Sequence, residues 1–400
     1  MKTIVIVGGG FAGVWAALAA ARQIDEHAAS IAVLLISSDR FLTIRPRLYE
    51  ANPRSLREPL HATLDPVGVA IMESVVEKVD PERRIVTLRN SAGRREERRY
   101  DRLILTAGSR QKPLPVAGAV QYTWNIDTCA AAAALDDHLL DVVRHPESAG
   151  HDTIAIIGGG FAGIELATEL RSRLAGHGGP DVAAATRIVI VEQAEVIGPE
   201  LGPGPRPDIE RALQSQRIEV LVGTRVDEFE ERGVVLSDGR RIDTATAIVT
   251  AGLEANPLTA HFDVELDAMG RLPVDDTLRV VGVPGVFAAG DVARAYVDDA
   301  HLAMMSCQHA MPMGRYAGHN AVRDILGLTA GRYRQADYVT CLDLGTSGAV
   351  FTTGWERVVK LRGPAAKEKK RTINTRWIYP PTGDKHSILE TADIARRSPR

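Results

Sequence analysis

The chain opens on an apolar run, TIVIV at 3–7, followed at once by the glycine-rich stretch GGGFAG at 8–13. A short apolar run without polar alternation, closed by glycines, reads as a strand buried on both faces. The residues after the turn, VWAALAAAR at 14–22, are alanine-rich and predict a helix. IAVLLIS at 31–37 then reads as a second buried strand. The same order returns with DTIAIIG (152–158), GIELATELRSRLA (163–175) and RIVIVE (187–192), and GGGFAG itself recurs at 158–163. Strands alternating with helices in this way predict parallel sheets in an α/β fold.

The repetition extends beyond the turn. IVTLRN and RYDRLILTAGS (99–109) follow the first copy, and GVVLSDGRRIDTATAIVTAGL (233–253) follows the second. Both copies thus end in an apolar strand and a small-residue turn, LILTAGS (103–109) and AIVTAGL (247–253). The repeated unit is a domain plan. LGPGPRP (201–207) reads as a loop, and from about residue 335 the runs YVTCLDL, GAVFTTG and TRWIYP predict a separate β-rich C-terminal module.

Composition narrows the class. Four hundred residues, 45% hydrophobic and 25% charged, suit a globular chain of two or three domains. A net charge of −3 gives no reason to expect a nucleic-acid partner. Residues 326–400 are the basic part, with 14 Lys/Arg against 7 Asp/Glu. The first strand begins at Thr3 with no signal peptide ahead of it, and no apolar stretch has the length of a membrane span, so a cytoplasmic location is expected. Cys129, Cys307 and Cys341 form no CxxC or CxxxxC pair, so neither a disulfide framework nor a metal site is expected.

A GxGxxG turn between a buried strand and a helix is built for a dinucleotide. The first glycine permits the tight turn, the second lets a pyrophosphate reach the backbone, and the third allows close helix–strand packing. These positions are Gly8, Gly10 and Gly13, then Gly158, Gly160 and Gly163, with Phe11, Ala12, Phe161 and Ala162 between them. One such turn is weak evidence; two in the same context predict two dinucleotides. Glu192, ending RIVIVE, would bond a ribose 2′-hydroxyl and repel a 2′-phosphate, which favours NADH over NADPH at the second turn. The first unit has Ser37 and Ser38 at that place.

A further motif, Gly290-Asp291 in VPGVFAAGDVA (283–293), completes an ordered set: GGGFAG, LILTAGS, GGGFAGIELATEL, AIVTAGL, VFAAGDVA. Over residues 1–325 that set resembles the two-dinucleotide flavoprotein disulfide reductase superfamily, and within it type II NADH dehydrogenases. The resemblance implies two nested Rossmann-like domains in a glutathione-reductase-like arrangement. FAD would bind 1–111 and 276–325, NADH would bind an inserted 112–275, and 326–400 would form the C-terminal module. It also implies FAD contacts at the first glycine turn, Ser37, Ser38, Val76, Ala107, Gly108 and Asp291. NADH contacts would fall at the second turn, Glu192 and Gly252.

The reductase members of that superfamily use a CxxxxC pair, and the matching region here, DRFLTIRPRLYEANP (39–53), has no cysteine. The implied reaction is therefore hydride transfer from NADH to FAD N5, with electrons leaving to a quinone or another small acceptor outside the chain. Glu165 matches a family glutamate near the nicotinamide and flavin. Arg45 and Arg47 flank Pro46 beside the expected flavin, where a cation would stabilise the reduced ring; a pair of surface arginines is the equal alternative. Gln308 fits the first glutamine of the family's AQxxxQ quinone motif, but Pro312 takes the second place and Cys307 the alanine's. His309 reads equally as a packed helix residue or a proton donor.

Other readings stay open: a reductase of a rubredoxin- or ferredoxin-like carrier, a tailoring enzyme for a quinone-like metabolite, or an NADH-binding signalling flavoprotein similar to apoptosis-inducing factor. Oligomeric state is open too, a homodimer included. SILETADIARR (387–397) is only weakly amphipathic. KEKKR (367–371), near Trp355, Trp377 and Tyr379, reads as a solvated loop rather than a contact for anionic headgroups. Peripheral membrane contact is therefore not the expected state.

Overall fold

The computed structural model describes residues 1–145, 150–335 and 337–396. The first apolar runs form β1 (Lys2–Val7) and β2 (Ile31–Ser37), joined by α1 (Phe11–Glu26). With β3 (Ala70–Glu73) and β4 (Arg102–Leu105) they make a parallel sheet in the order β4-β1-β2-β3. Ile4, Val5, Ile6 and Leu35 are fully buried, as the unbroken apolar runs predict for a sheet covered on both faces.

The plan repeats after α2 (Cys129–Arg144). β5 (Thr153–Ile157), α3 (Phe161–Gly178), β6 (Arg187–Val191), β7 (Ile218–Leu221) and β8 (Thr246–Val249) form a second parallel sheet, ordered β8-β5-β6-β7. In each unit a three-stranded antiparallel sheet fills the connection to the last strand, at Val75–Arg99 and at Val226–Asp243. The chain then returns: Val286–Ala288 adds to the first sheet beside β4. Ser109–Gln111, just after β4, pairs antiparallel with Leu253–Ala255, just after β8, and ties the two units together.

Helix α4 (Cys307–Leu326) crosses α1 at very short range. A β carbon at Gly314 would stand 2.2 Å from the Ala12 carbonyl oxygen, and one at Gly318 would stand 2.0 Å from that of Ala16. Glycine is the residue that permits this crossing. Pro312, inside α4, has no N–H for the Gln308 carbonyl; Gln335 supplies a donor instead, from Nε2 at 3.1 Å.

The C-terminal runs form an antiparallel sheet of β9 (Val339–Asp343), β10 (Ala349–Thr353) and β11 (Val358–Arg362). KEKKR is not a loop. It lies on α5 (Gly363–Thr372), where Ala366 and Lys370, four residues apart, both point inward. A last short helix, Lys385–Thr391, turns Ile388 and Leu389 into the first unit's core, so its apolar face is covered by protein. Arg397 lies outside the described residues. Among the described residues no helix is long and apolar enough to cross a membrane.

Candidate active site

The two glycine turns are near copies. Gly8 and Gly158 have φ of +114° and +113°, a region L side chains rarely adopt. A β carbon at Gly13 would stand 1.8 Å from the Gly8 carbonyl oxygen, and one at Gly163 would stand 1.9 Å from that of Gly158. Both turns carry a second device that sequence reading passed over. Thr106 Oγ1 donates to the Val7 and Gly8 carbonyls (2.9 and 3.1 Å), and Thr250 Oγ1 donates to the Gly158 carbonyl (2.9 Å). The signal was in plain view, since both threonines belong to the repeated TAG of LILTAGS and AIVTAGL.

At the head of α1, a β carbon on Gly10 would meet nothing within 4 Å. An open glycine before a helix N-terminus suits a pyrophosphate, because the first amides of a helix have no intrahelical acceptors and the dipole favours an anion. Ser37 lies against this turn: a β carbon on Gly9 would stand 2.5 Å from its Oγ. In the second unit Glu192 holds the equivalent place. It accepts from the Gly159 amide (Oε2, 2.7 Å) and the Ala194 amide (Oε1, 2.8 Å).

One cavity of about 2230 Å³ runs between the units. From the first unit Gly8, Gly10, Phe11, Ala12, Ser37 and Ser38 line it, together with Arg45, Val76, Ala107, Gly108 and Asp291. Phe161, Ala162, Glu165 and Gly252 line it from the second, and Gln308 from α4. Gly13, Gly158, Gly160, Gly163 and Glu192 are not among the residues that line it. Arg47 is also off the cavity, held by Glu50 (2.6 Å) and the Tyr379 hydroxyl (2.7 Å).

Asp291 accepts from Ser109 Oγ at 2.6 Å, and burial raises its pKa against the pull of Ser109 and Arg45. Arg45 donates to Ser109 Oγ (2.8 Å) and pairs with Asp127, whose other oxygen accepts from the Gln111 amide (3.0 Å). This arginine therefore links Asp127, ahead of α2, to the Asp291 loop.

Glu165 and Lys370 form a buried ion pair in the site. Glu165 Oε1 lies 2.7 Å from Lys370 Nζ and accepts from the Asp343 amide at 2.9 Å. Burial raises the Glu165 carboxyl to about 7, against the pull of Lys370. Burial also weakens the Lys370 ammonium, but Glu165 outweighs it and the lysine stays firmly charged. Nζ stands 5.5 Å from the Phe161 ring centroid, against the second glycine turn. The sequence pointed to Glu165 and missed Lys370.

The acceptor motif is arranged unlike a free glutamine. Gln308 donates Nε2 to the Val339 carbonyl (3.2 Å) and accepts from its amide at Oε1 (3.1 Å), so its amide group is engaged by β9. His309 is fully buried, its Nδ1 3.2 Å from Gln335 Oε1. Burial lowers its pKa to about 4, which favours the neutral ring near neutral pH. Cys129, Cys307 and Cys341, dispersed in sequence, all line the cavity. Burial pushes the Cys307 and Cys341 thiols up to about 11, so neither is a thiolate near neutral pH. Trp377 also lines the cavity, whereas Trp355 stacks between His301 and Tyr338, both at 4.3 Å.

Two glycine-turn sheets facing one cavity define a two-dinucleotide oxidoreductase. The chain belongs to the pyridine nucleotide-disulphide oxidoreductase family, which matches residues 2–314. It is an enzyme of that family, with FAD and NADH as its cofactors. It is 41% identical over 403 residues to an NADH dehydrogenase-like protein of Mycobacterium tuberculosis, covering 100% of both chains. It is 28% identical to a demethylphylloquinone reductase of Synechocystis, covering 95% of this chain and 96% of the relative. In fold it is similar to NDH2 from Plasmodium falciparum in complex with NADH, with a TM-score of 0.80 at 13% identity, over 98% of this chain and 97% of that one.

Proposed function

We propose that the chain is an FAD-dependent NADH oxidoreductase whose electrons pass to a quinone-like acceptor without a cysteine relay. FAD belongs to 1–111 with 276–325, and NADH to 112–275. The observation that carries this reading is the single cavity lined by both units, with the open Gly10 ledge at one turn and the Glu165–Lys370 pair beside the other.

FAD held there would supply hydride acceptance from NADH and electron delivery to the acceptor. The residues divide the remaining work. Amides at the head of α1 and Gly10 would hold the flavin's pyrophosphate, and Asp291, oriented by Ser109, would hold a hydroxyl of its ribityl chain. Glu192 accepts a ribose hydroxyl of NADH; its oxygens each retain a lone pair beyond the two amides they already bond. Glu165, with a carboxyl near 7 and Lys370 on Oε1, can hold or release a proton at neutral pH. Met305, Met311, Ile378 and Ile394 give the cavity an apolar wall, which suits a quinone-like ring better than a protein carrier.

The test is NADH oxidation with a soluble quinone analogue under anaerobic conditions. Sustained turnover is expected; a single stoichiometric reduction without turnover would refute a quinone-like acceptor. In that assay Glu192→Ala is expected to lower the NADH-to-NADPH preference at least about tenfold, since a good hydrogen bond to a charged group contributes roughly 1.5–3 kcal/mol. An unchanged ratio would remove Glu192 from the ribose site.

A further inference from the structure

The two glycine turns differ at the position before the helix. At the first, the position before α1 is open. At the second, a β carbon on Gly160 would stand 2.7 Å from Glu200 Oε1, and that oxygen accepts from the Phe161 amide at 2.7 Å. A carboxylate of the chain itself thus occupies the head of α3, where the amide and the helix dipole would otherwise meet a phosphate.

The loop that delivers Glu200 is pinned through its backbone, whereas the side chain is held at the Phe161 amide. Gly198 N donates to the Gly159 carbonyl (2.9 Å), Leu201 N donates to that of Gly198 (2.9 Å), and Arg357 Nη2 holds the Glu200 carbonyl (3.0 Å). Glu200 is nevertheless exposed and lines the cavity, so its side chain borders open space. Glu192, by contrast, is buried, with two amide partners.

We propose that Glu200 is a built-in competitor for the dinucleotide's pyrophosphate. Its carboxylate holds the amide at the head of α3, must leave for NADH to bind, and so sets the affinity of the second turn below that of the first. A flavin that stays and a nicotinamide dinucleotide that comes and goes need this inequality. The inference rests on reading the second turn as the NADH site.

The experiment is calorimetric titration of NAD⁺ into the FAD-loaded protein, wild type against Glu200→Gln and Glu200→Ala, with melting curves to confirm folding. Removing the charge is expected to tighten NAD⁺ about tenfold, equivalent to about 1.4 kcal/mol, with flavin content unchanged. Binding seen only in the variants would support the competitor in stronger form. An unchanged or weakened affinity in both variants, with wild type binding normally, would overturn the role of Glu200 and leave the NADH site standing. If no form binds NAD⁺ while all retain flavin, the assignment of the second turn falls, and the inference with it.

Discussion

Gly10→Val is expected to give a folded protein that no longer retains flavin. Gly10 has an extended backbone (φ −78°, ψ −170°) that any residue adopts, and an added β carbon meets nothing within 4 Å, so a β carbon is accommodated there without a clash. The new side chain would stand over the α1 amides, in the space a pyrophosphate needs. A loss of at least about 100-fold in FAD affinity is expected, roughly 2.7 kcal/mol, read as flavin absorbance per protein and as the loss of FAD-dependent stabilisation in melting curves. Gly13→Ala behaves differently. Its β carbon would lie 1.8 Å from the Gly8 carbonyl, so it destabilises even the apoprotein, by about 1–3 kcal/mol. If Gly10→Val purified with a full complement of flavin, the first turn would be a packing turn.

Lys370→Met is expected to lose about 3–5 kcal/mol of stability at pH 8.5, the usual result of leaving one member of a buried pair unpaired. Lys370 and Glu165 are both almost wholly buried, so solvent offers little compensation. The loss should shrink as pH falls. In the folded protein the Glu165 carboxyl lies near 7, above its ordinary value of 4.5, so folding favours its protonated form. Its contribution to stability is greatest below pH 4.5 and is lost as pH rises through about 7, and removing Lys370 steepens that loss. Melting curves at pH 6 and pH 8.5 test this, and Glu165→Gln/Lys370→Met should recover most of the stability. A single variant as stable as wild type at both pH values would contradict the buried pair.

The sequence made legible what repeats. Both turns, their flanking strands and the TAG corners appear twice, because each unit builds the same strand–turn–helix on a parallel sheet. What it hid are single positions that tertiary packing decides. KEKKR carries four like charges and looks solvated, yet one lysine in it is buried by the turn of α5 against Glu165, some 200 residues away. The inward Ala366–Lys370 spacing was the available clue. Gln308 is recognisable by motif, but its engagement with the Val339 backbone depends on how β9 approaches α4, which no local pattern records. Glu200 lies beside a Pro/Gly-rich loop whose course cannot be read from its residue types.

On the proposed reading one turn holds the flavin and the other delivers the electrons that reduce it. An absorbance spectrum of the purified protein, taken without oxygen before and after NADH, tests it most directly. A flavin spectrum that bleaches on NADH addition is expected. A flavin that stays oxidised in excess NADH, or a protein that takes up no flavin when FAD is supplied, would contradict it.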